Sequence, residues 1–335
     1  MTDLLIHSPF SQQTGQGNSV TAERTELILR KAGYDVQMEA ESYQGADASC
    51  LIALNARRSA GVVAEFDLLH PGRQVIVIIT GSDINHAEME DEGSATRRTM
   101  ARADALVVLH EADMEVLPGG LREKATCIFP SVRLPGSALH DPAPGDVFEV
   151  IMAGNLRAVK NPQLAVEVAA LLPDDSPIFI NSYGDASEEL AVEMTHASAE
   201  VRHFNWCGKL DHATLMEKMA RAHILLNTST LEGGANAICE AVTMGLPVIA
   251  TDIRGNVGML GEDYPGLFPC GDAQAAAGLL RRCATDASFY EELKRRVKQR
   301  ASLFDFATES SAWVDLIRLH LARYTISQNR KDDWN

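Results

Sequence analysis

No stretch of the 335-residue sequence approaches the roughly 18 consecutive apolar residues that a membrane-spanning helix needs. The opening residues, Met1-Thr2-Asp3-Leu4-Leu5-Ile6-His7, lack the basic start and long apolar stretch of a secretory signal, so cytoplasmic residence is expected. Basic residues are scarce: 30 Lys and Arg face 46 Asp and Glu, a net charge of −16, with no basic run. That balance removes the electrostatic drive for nucleic-acid binding and disfavours an anionic membrane surface, so neither nucleic acid nor stable membrane association is expected. Paired cysteine spacing is also missing. Cys50, Cys127, Cys207, Cys239, Cys270 and Cys283 are scattered, several in apolar surroundings, and read as buried free thiols.

What is present is a globular composition, 46% hydrophobic and 23% charged, in a chain long enough for two α/β domains of about 150 residues each. Short apolar runs alternate with amphipathic segments, the pattern of βαβ units building parallel sheets. Strands are expected at 3–7, 36–38, 50–55, 74–79, 105–109 and 125–129, with a helix over 20–32 that stops at Gly33. These complete a first Rossmann-like domain, 1–135. Residues 134–146, rich in Pro and Gly and without periodicity, read as a hinge. A second series, 147–153, 178–181, 201–206, 223–227 and 247–251, forms a second domain, 146–303. Two Rossmann-like halves facing a cleft are implied. An amphipathic segment at 310–324 precedes a polar tail expected to fray.

The most informative stretch runs from Ser229 to Ala241, after an expected strand and into a helix. Glu232 and Glu240 are separated by seven residues. Between them Gly233, Gly234, Ala235 and Asn236 open the helix, where unpaired N–H groups favour an anion such as a pyrophosphate. Glu240, inside the helix, is placed to accept hydrogen bonds from a ribose diol, and Glu232 falls near the sugar. The plain alternative is a capped helix with two solvated acids.

A second constellation, Gly154-Asn155-Leu156-Arg157-Ala158-Val159-Lys160-Asn161-Pro162, follows the first strand of the second half. Cations aimed at a departing diphosphate stabilise the transition state more than the ground state, which is the role open to Arg157 and Lys160 and would require no metal. Two solvated cations at a helix start are disfavoured by the positive end of the helix dipole.

In the first half, Thr14-Gly15-Gln16-Gly17-Asn18 sits between a strand and a helix. It fits a phosphate cradle, with Gly17 and Asn18 on the donor, but Val20 breaks the full G-x-G-x-x-G pattern, and an ordinary β–α turn fits equally. Asn55-Ala56-Arg57-Arg58-Ser59 and Thr80-Gly81-Ser82-Asp83 also fall at strand ends. Arg57 and Arg58 suit either an anion clamp or a helix-start salt bridge; Thr80, Gly81, Ser82 and Asp83 suit sugar or acceptor. His86 and His110 are candidates for proton transfer or for purely structural roles.

The Glu, seven residues, Glu pattern resembles the retaining-type GT-B glycosyltransferases. The resemblance implies that Glu240 grips the nucleotide ribose, that Glu232 contacts the donor sugar, that Lys160 and Arg157 hold the diphosphate, and that the C-terminal helix, 304–326, crosses back to the N-terminal domain. The family often writes Gly-Arg where this chain has Gly154-Asn155. Longer stretches resemble the selenosugar synthases of selenoneine biosynthesis. These include Gly17-Asn18 with Thr21-Ala22 and Arg24, Ala56-Arg57-Arg58-Ser59, Glu232 to Asn236, and the run Gly255 to Gly266, which general members lack. By that resemblance the first domain binds acceptor and the second binds UDP-sugar. Selenophosphate joins the anomeric carbon of UDP-N-acetylglucosamine, giving a selenosugar, UDP and phosphate, with the product handed to a downstream selenoneine enzyme and no cofactor used. Asn55, Ser82 and Asn85 stand where those enzymes carry His, Thr and Tyr. Thiophosphate or a hydroxyl acceptor, or a non-catalytic nucleotide-sugar-binding role, are the alternatives.

Overall fold

The computed structural model describes residues 2–10, 17–84, 89, 91–136, 139–143 and 145–332, with side chains as far as 322. The chain divides into two compact units: Met1–Pro130 together with Phe306–Asn335, and Ser131–Asp305.

The first unit is built on β1 (Thr2–Ser8), β2 (Val36–Ala40), β3 (Ala48–Leu54), β4 (Gln74–Ile78), β5 (Ala105–Val108) and β6 (Ala125–Cys127). They pair in parallel in the order β2-β1-β3-β4-β5-β6. A parallel sheet is covered on both faces, so its strands read as unbroken apolar runs rather than alternating ones. Residues 4–6, 50–54 and 75–79 are accordingly buried throughout. The helix Phe306–Asp332 packs on the helix Gly17–Lys31 and on β3 and β4, burying Trp313. An ion pair between Arg24 and Glu309 at 3.0 Å and a hydrogen bond between His320 Nδ1 and Gln74 Oε1 at 2.9 Å fix its register. The C-terminal helix thus groups with the first unit.

The second unit contains β7 (Phe148–Ala153), β8 (Ile178–Tyr183), β9 (Phe204–Trp206), β10 (Ile224–Asn227), β11 (Val248–Thr251) and β12 (Leu267–Phe268). They too are parallel, in the order β12-β11-β10-β7-β8-β9. From β7 the chain builds outward through β8 and β9, then returns to β10 on the other side. The switch between β7 and β10 opens a crevice at their carboxyl ends, the place where such sheets hold ligands. β9 is shorter than the expected 201–206 because Val201 closes the preceding helix, Glu188–Glu200, as its C-cap. β12 has no counterpart among the expected strands, since two residues carry no periodicity.

The Pro- and Gly-rich stretch expected as a hinge lies along the second unit. The N–H groups of His140, Asp141 and Ala143 donate to the carbonyls of Met244, Ala220 and Arg221, each at 2.9 Å. Pairing these backbone groups anchors residues 139–143, which form neither helix nor strand. The division between the units falls ahead of it, between Pro130 and Ser131.

Candidate functional site

At the carboxyl end of β7 the chain turns through Gly154 and a short 3-10 turn, Ala158–Lys160. Asn161, in the left-handed region at φ 45°, then starts the helix Pro162–Ala170. The loop after β10 is stitched to this turn: Thr228 Oγ1 donates to the Lys160 carbonyl and Thr230 N–H to the Val159 carbonyl, both at 2.8 Å. These bonds bring together side chains that lie 72 residues apart in sequence. Lys160 Nζ donates to Glu232 Oε1 at 2.5 Å. Ser229 Oγ donates to the same oxygen at 2.6 Å, and Asn227 Nδ2 approaches it at 3.5 Å. The Glu232 side chain is 9% exposed and that of Lys160 25%, so the pair is partly shielded from solvent.

Lys160 carries three N–H donors, and one is used among the described residues. The Arg157 guanidinium is exposed and makes no ion pair among the described residues. Gly233 and Gly234 lead into the helix Asn236–Met244, whose N-cap, Ala235, provides no side-chain acceptor. The first N–H groups of that helix therefore lack the usual side-chain cap. Inside the same helix Glu240 Oε1 lies 2.9 Å from His212 Nε2. Glu240 is 16% exposed against 61% for His212, so the carboxylate is the sheltered member. The Glu240 hydrogen bond raises the His212 pKa above its ordinary value, against the burial that lowers it.

The first unit carries a polar cluster at the carboxyl ends of β1, β3 and β4. Asn55, left-handed at φ 65°, donates through Nδ2 to Thr80 Oγ1 and Ser82 Oγ, both at 2.7 Å, and accepts from Arg58 N–H at 2.8 Å. Asp83 is fully buried and accepts from Thr80 N–H at 2.9 Å, Thr80 Oγ1 at 3.1 Å and Arg57 N–H at 3.1 Å. Burial raises its pKa, and those donors oppose the shift. Asp83 and Asn55 hence tie the two loops together, with Gly81 opening the short helix between them. Among the described residues Arg57 Nε is buried without a hydrogen-bond partner, and Arg58 stacks 4.8 Å from the centre of the Phe10 ring. Gly17 and Asn18 open the first helix, where the Gly17 carbonyl accepts from Thr21 Oγ1 at 3.0 Å. Thr14, Gly15, Gln16, Asn85 and His86 lie outside the described residues. His110 is buried 3.2 Å from Asp113, a structural setting.

Four residues in these two clusters carry no role of their own in the sequence reading, although Ser59 and Asn256 fall within stretches quoted there. His212 reaches Glu240 from a separate helix, His212–Arg221. Asn256 is buried behind Glu232, donating to Asn227 and Thr251. In the first unit, Ser59 Oγ gives its proton to the Leu54 carbonyl at 2.6 Å, so it accepts from His7 Nδ1 at 3.0 Å. Burial pushes the His7 pKa down to about 4. Among the described residues no group of three or more His, Cys, Asp or Glu is placed to hold a metal ion, and no helix is long and apolar enough to cross a membrane.

Comparison with known proteins gives a consistent picture. The chain is 24% identical over 313 residues to glycosyltransferase 1 domain-containing protein 1 of Xenopus tropicalis, covering 86% of this chain and 88% of that one. It is similar in structure to sucrose-phosphate synthase from Thermosynechococcus elongatus, with a TM-score of 0.77 at 16% identity over 96% of this chain and 100% of that one. The Anabaena protein HepE in complex with UDP gives a TM-score of 0.73 at 16% identity, over 95% and 100%. At such identities the likeness concerns the fold, the GT-B type with two Rossmann-like halves. Residues 141–301, which fall within the second unit, match the family model described as glycosyl transferases group 1.

Proposed function

We propose that the protein is a UDP-sugar-dependent glycosyltransferase whose acceptor is selenophosphate. The C1–oxygen bond to UDP breaks as a C1–selenium bond forms, and water then cleaves the phosphorus–selenium bond, giving a selenosugar and phosphate. UDP-N-acetylglucosamine is the donor this reading favours.

The observation that carries the donor half is the Lys160–Glu232 pair beside an uncapped helix start, with Glu240 deeper in the same helix. A diphosphate seated there would accept from the spare Lys160 donors and the first N–H groups of the helix, with Arg157 adding charge. Negative charge growing on the leaving oxygen would then meet fixed cations, without calling on a metal or other cofactor. Glu240 would take the ribose hydroxyls. A cation there would help binding as well, but its attraction strengthens as charge grows on the leaving oxygen, so the arrangement favours transfer over binding alone.

On the acceptor side, Arg57 Nε, which has no partner among the described residues, and the stacked Arg58 suit a compact dianion. Selenophosphate is already anionic and polarisable, so attack needs no strong general base. UDP release from UDP-N-acetylglucosamine with selenophosphate, thiophosphate or no acceptor tests the reading. Selenophosphate should raise the rate, and Arg57→Ala with Arg58→Ala should abolish that increase. Release that ignores selenophosphate, or an increase that survives loss of both arginines, removes the acceptor assignment.

A further inference from the structure

Glu232 rests on a layer of residues that cannot themselves touch a ligand. The helix Arg254–Leu260 presses its first turn against the Glu232 backbone. A Cβ at Gly255 would stand 2.4 Å from the Glu232 carbonyl oxygen, 2.7 Å from its carbon and 2.8 Å from the Glu232 Cβ. Any side chain there would displace Glu232.

The next residue, Asn256, is fully buried. Its Nδ2 lies 3.0 Å from the Thr251 carbonyl, 3.0 Å from Thr251 Oγ1 and 3.2 Å from Asn227 Oδ1. The surroundings fix which way this amide points. A carbonyl only accepts; Thr251 Oγ1 has given its proton to the Ser229 carbonyl at 2.5 Å; and Asn227 Oδ1 is identified as oxygen by the Ser229 N–H it accepts at 3.1 Å. Asn256 Oδ1 is then left buried with no partner among the described residues. An apolar side chain of that size would leave no such unpaired acceptor, so what the amide supplies is its donors.

Those donors act on Glu232 along two routes. Through Asn227 Oδ1 they turn the Asn227 amide so that its Nδ2 faces Glu232 Oε1. Through Thr251 Oγ1 they fix the Ser229 backbone, whose own Oγ donates to Glu232 Oε1 at 2.6 Å. Both routes hold the oxygen that Lys160 contacts, and Glu232 Oε2 keeps no hydrogen-bond partner among the described residues.

We infer that Gly255 and Asn256 are positioning residues that set the Glu232 carboxylate, and through it the Lys160 ammonium, for donor chemistry. The inference rests on the reading of Glu232 and Lys160 as donor-site residues. In Asn256→Ala, kcat should fall about 10- to 100-fold with KM for the UDP-sugar little changed, because a slightly misplaced group weakens transition-state contacts most. In a Glu232→Gln background the same change should lose little more, since both act on one carboxylate. The Glu232 carboxyl signal, followed by isotope-edited NMR without substrate, should shift in Asn256→Ala. Should that variant fail to fold, Asn227→Ala cuts one of the same routes and should give the same kcat loss and NMR shift. A folded variant with the parent's kcat, losses that multiply in full with Glu232→Gln, or an unmoved Glu232 signal would overturn the inference. If Lys160→Met and Glu232→Gln themselves leave turnover intact, the donor-site reading fails instead, and the NMR response still decides the positioning.

Discussion

Replacing Lys160 with Met keeps most of the aliphatic stem and removes the charge and its donors. The structure sets the size of two separate consequences. For stability, Glu232 loses a partner at 2.5 Å but keeps the Ser229 hydroxyl at 2.6 Å, and Lys160 is a quarter exposed, so solvent already screens the pair. The loss should fall between that of a surface pair and a buried one, about 1–2 kcal/mol. For catalysis, on the proposed function the unused Lys160 donors would meet the charge growing on the leaving diphosphate. Removing one such preorganised donor lowers turnover by about 10²–10³-fold, or about 2.7–4 kcal/mol. Activity should therefore collapse in a protein that is still folded. Steady-state UDP release at saturating donor, with a thermal melt on the same sample, reads both quantities. A Lys160→Met enzyme turning over within about threefold of the parent, with a normal melt, would refute the reasoning.

Histidine titrations should pull stability in opposite directions. The His212 pKa is raised by Glu240, so its contribution is present below the unfolded value of 6.5 and is lost as pH rises through the folded pKa; the melting temperature of His212→Ala should lag the parent more at about pH 5.5 than at about pH 8.5. His7 and His140 are both lowered by burial, from 6.5 to about 4, so the unfolded chain takes up protons first and stability falls as pH drops across that window. His7→Gln should flatten the acid limb of the stability curve measured by denaturant titration. At Gly184 an added Cβ would lie 2.0 Å from the Gly154 carbonyl oxygen, where β7 and β8 end side by side. Gly184→Ala should be destabilised by about 1–3 kcal/mol, seen as a melting temperature lower by several degrees.

How much of this could be read from residue order follows from the range of each interaction. Strands whose apolar runs exceed about four residues are legible because both faces of a parallel sheet are covered. The turn after β7 and the Glu232 to Glu240 stretch are legible because helix starts carry local chemistry. Pairings between distant elements are not. Lys160 with Glu232, His212 with Glu240 and Asn256 with Asn227 are made by sheet order, which residue sequence does not display. Asp83 looks like a ligand-facing acid when only its neighbours in sequence are known, and its burial appears only when Thr80 and Arg57 fold over it. The stretch at 134–146 has the composition of a linker, yet its backbone pairs with carbonyls of the second unit that lie far ahead in the chain.

The whole account depends on a nucleoside diphosphate seating at the carboxyl ends of β7 and β10, with its ribose on Glu240. Isothermal titration of UDP into the parent and into Glu240→Ala addresses this without any assumption about the acceptor. The parent should bind UDP, and Glu240→Ala should bind it about tenfold or more weakly, the loss expected when charge-assisted hydrogen bonds to a diol are removed. No heat with the parent, or equal affinity in the two proteins, would contradict the account.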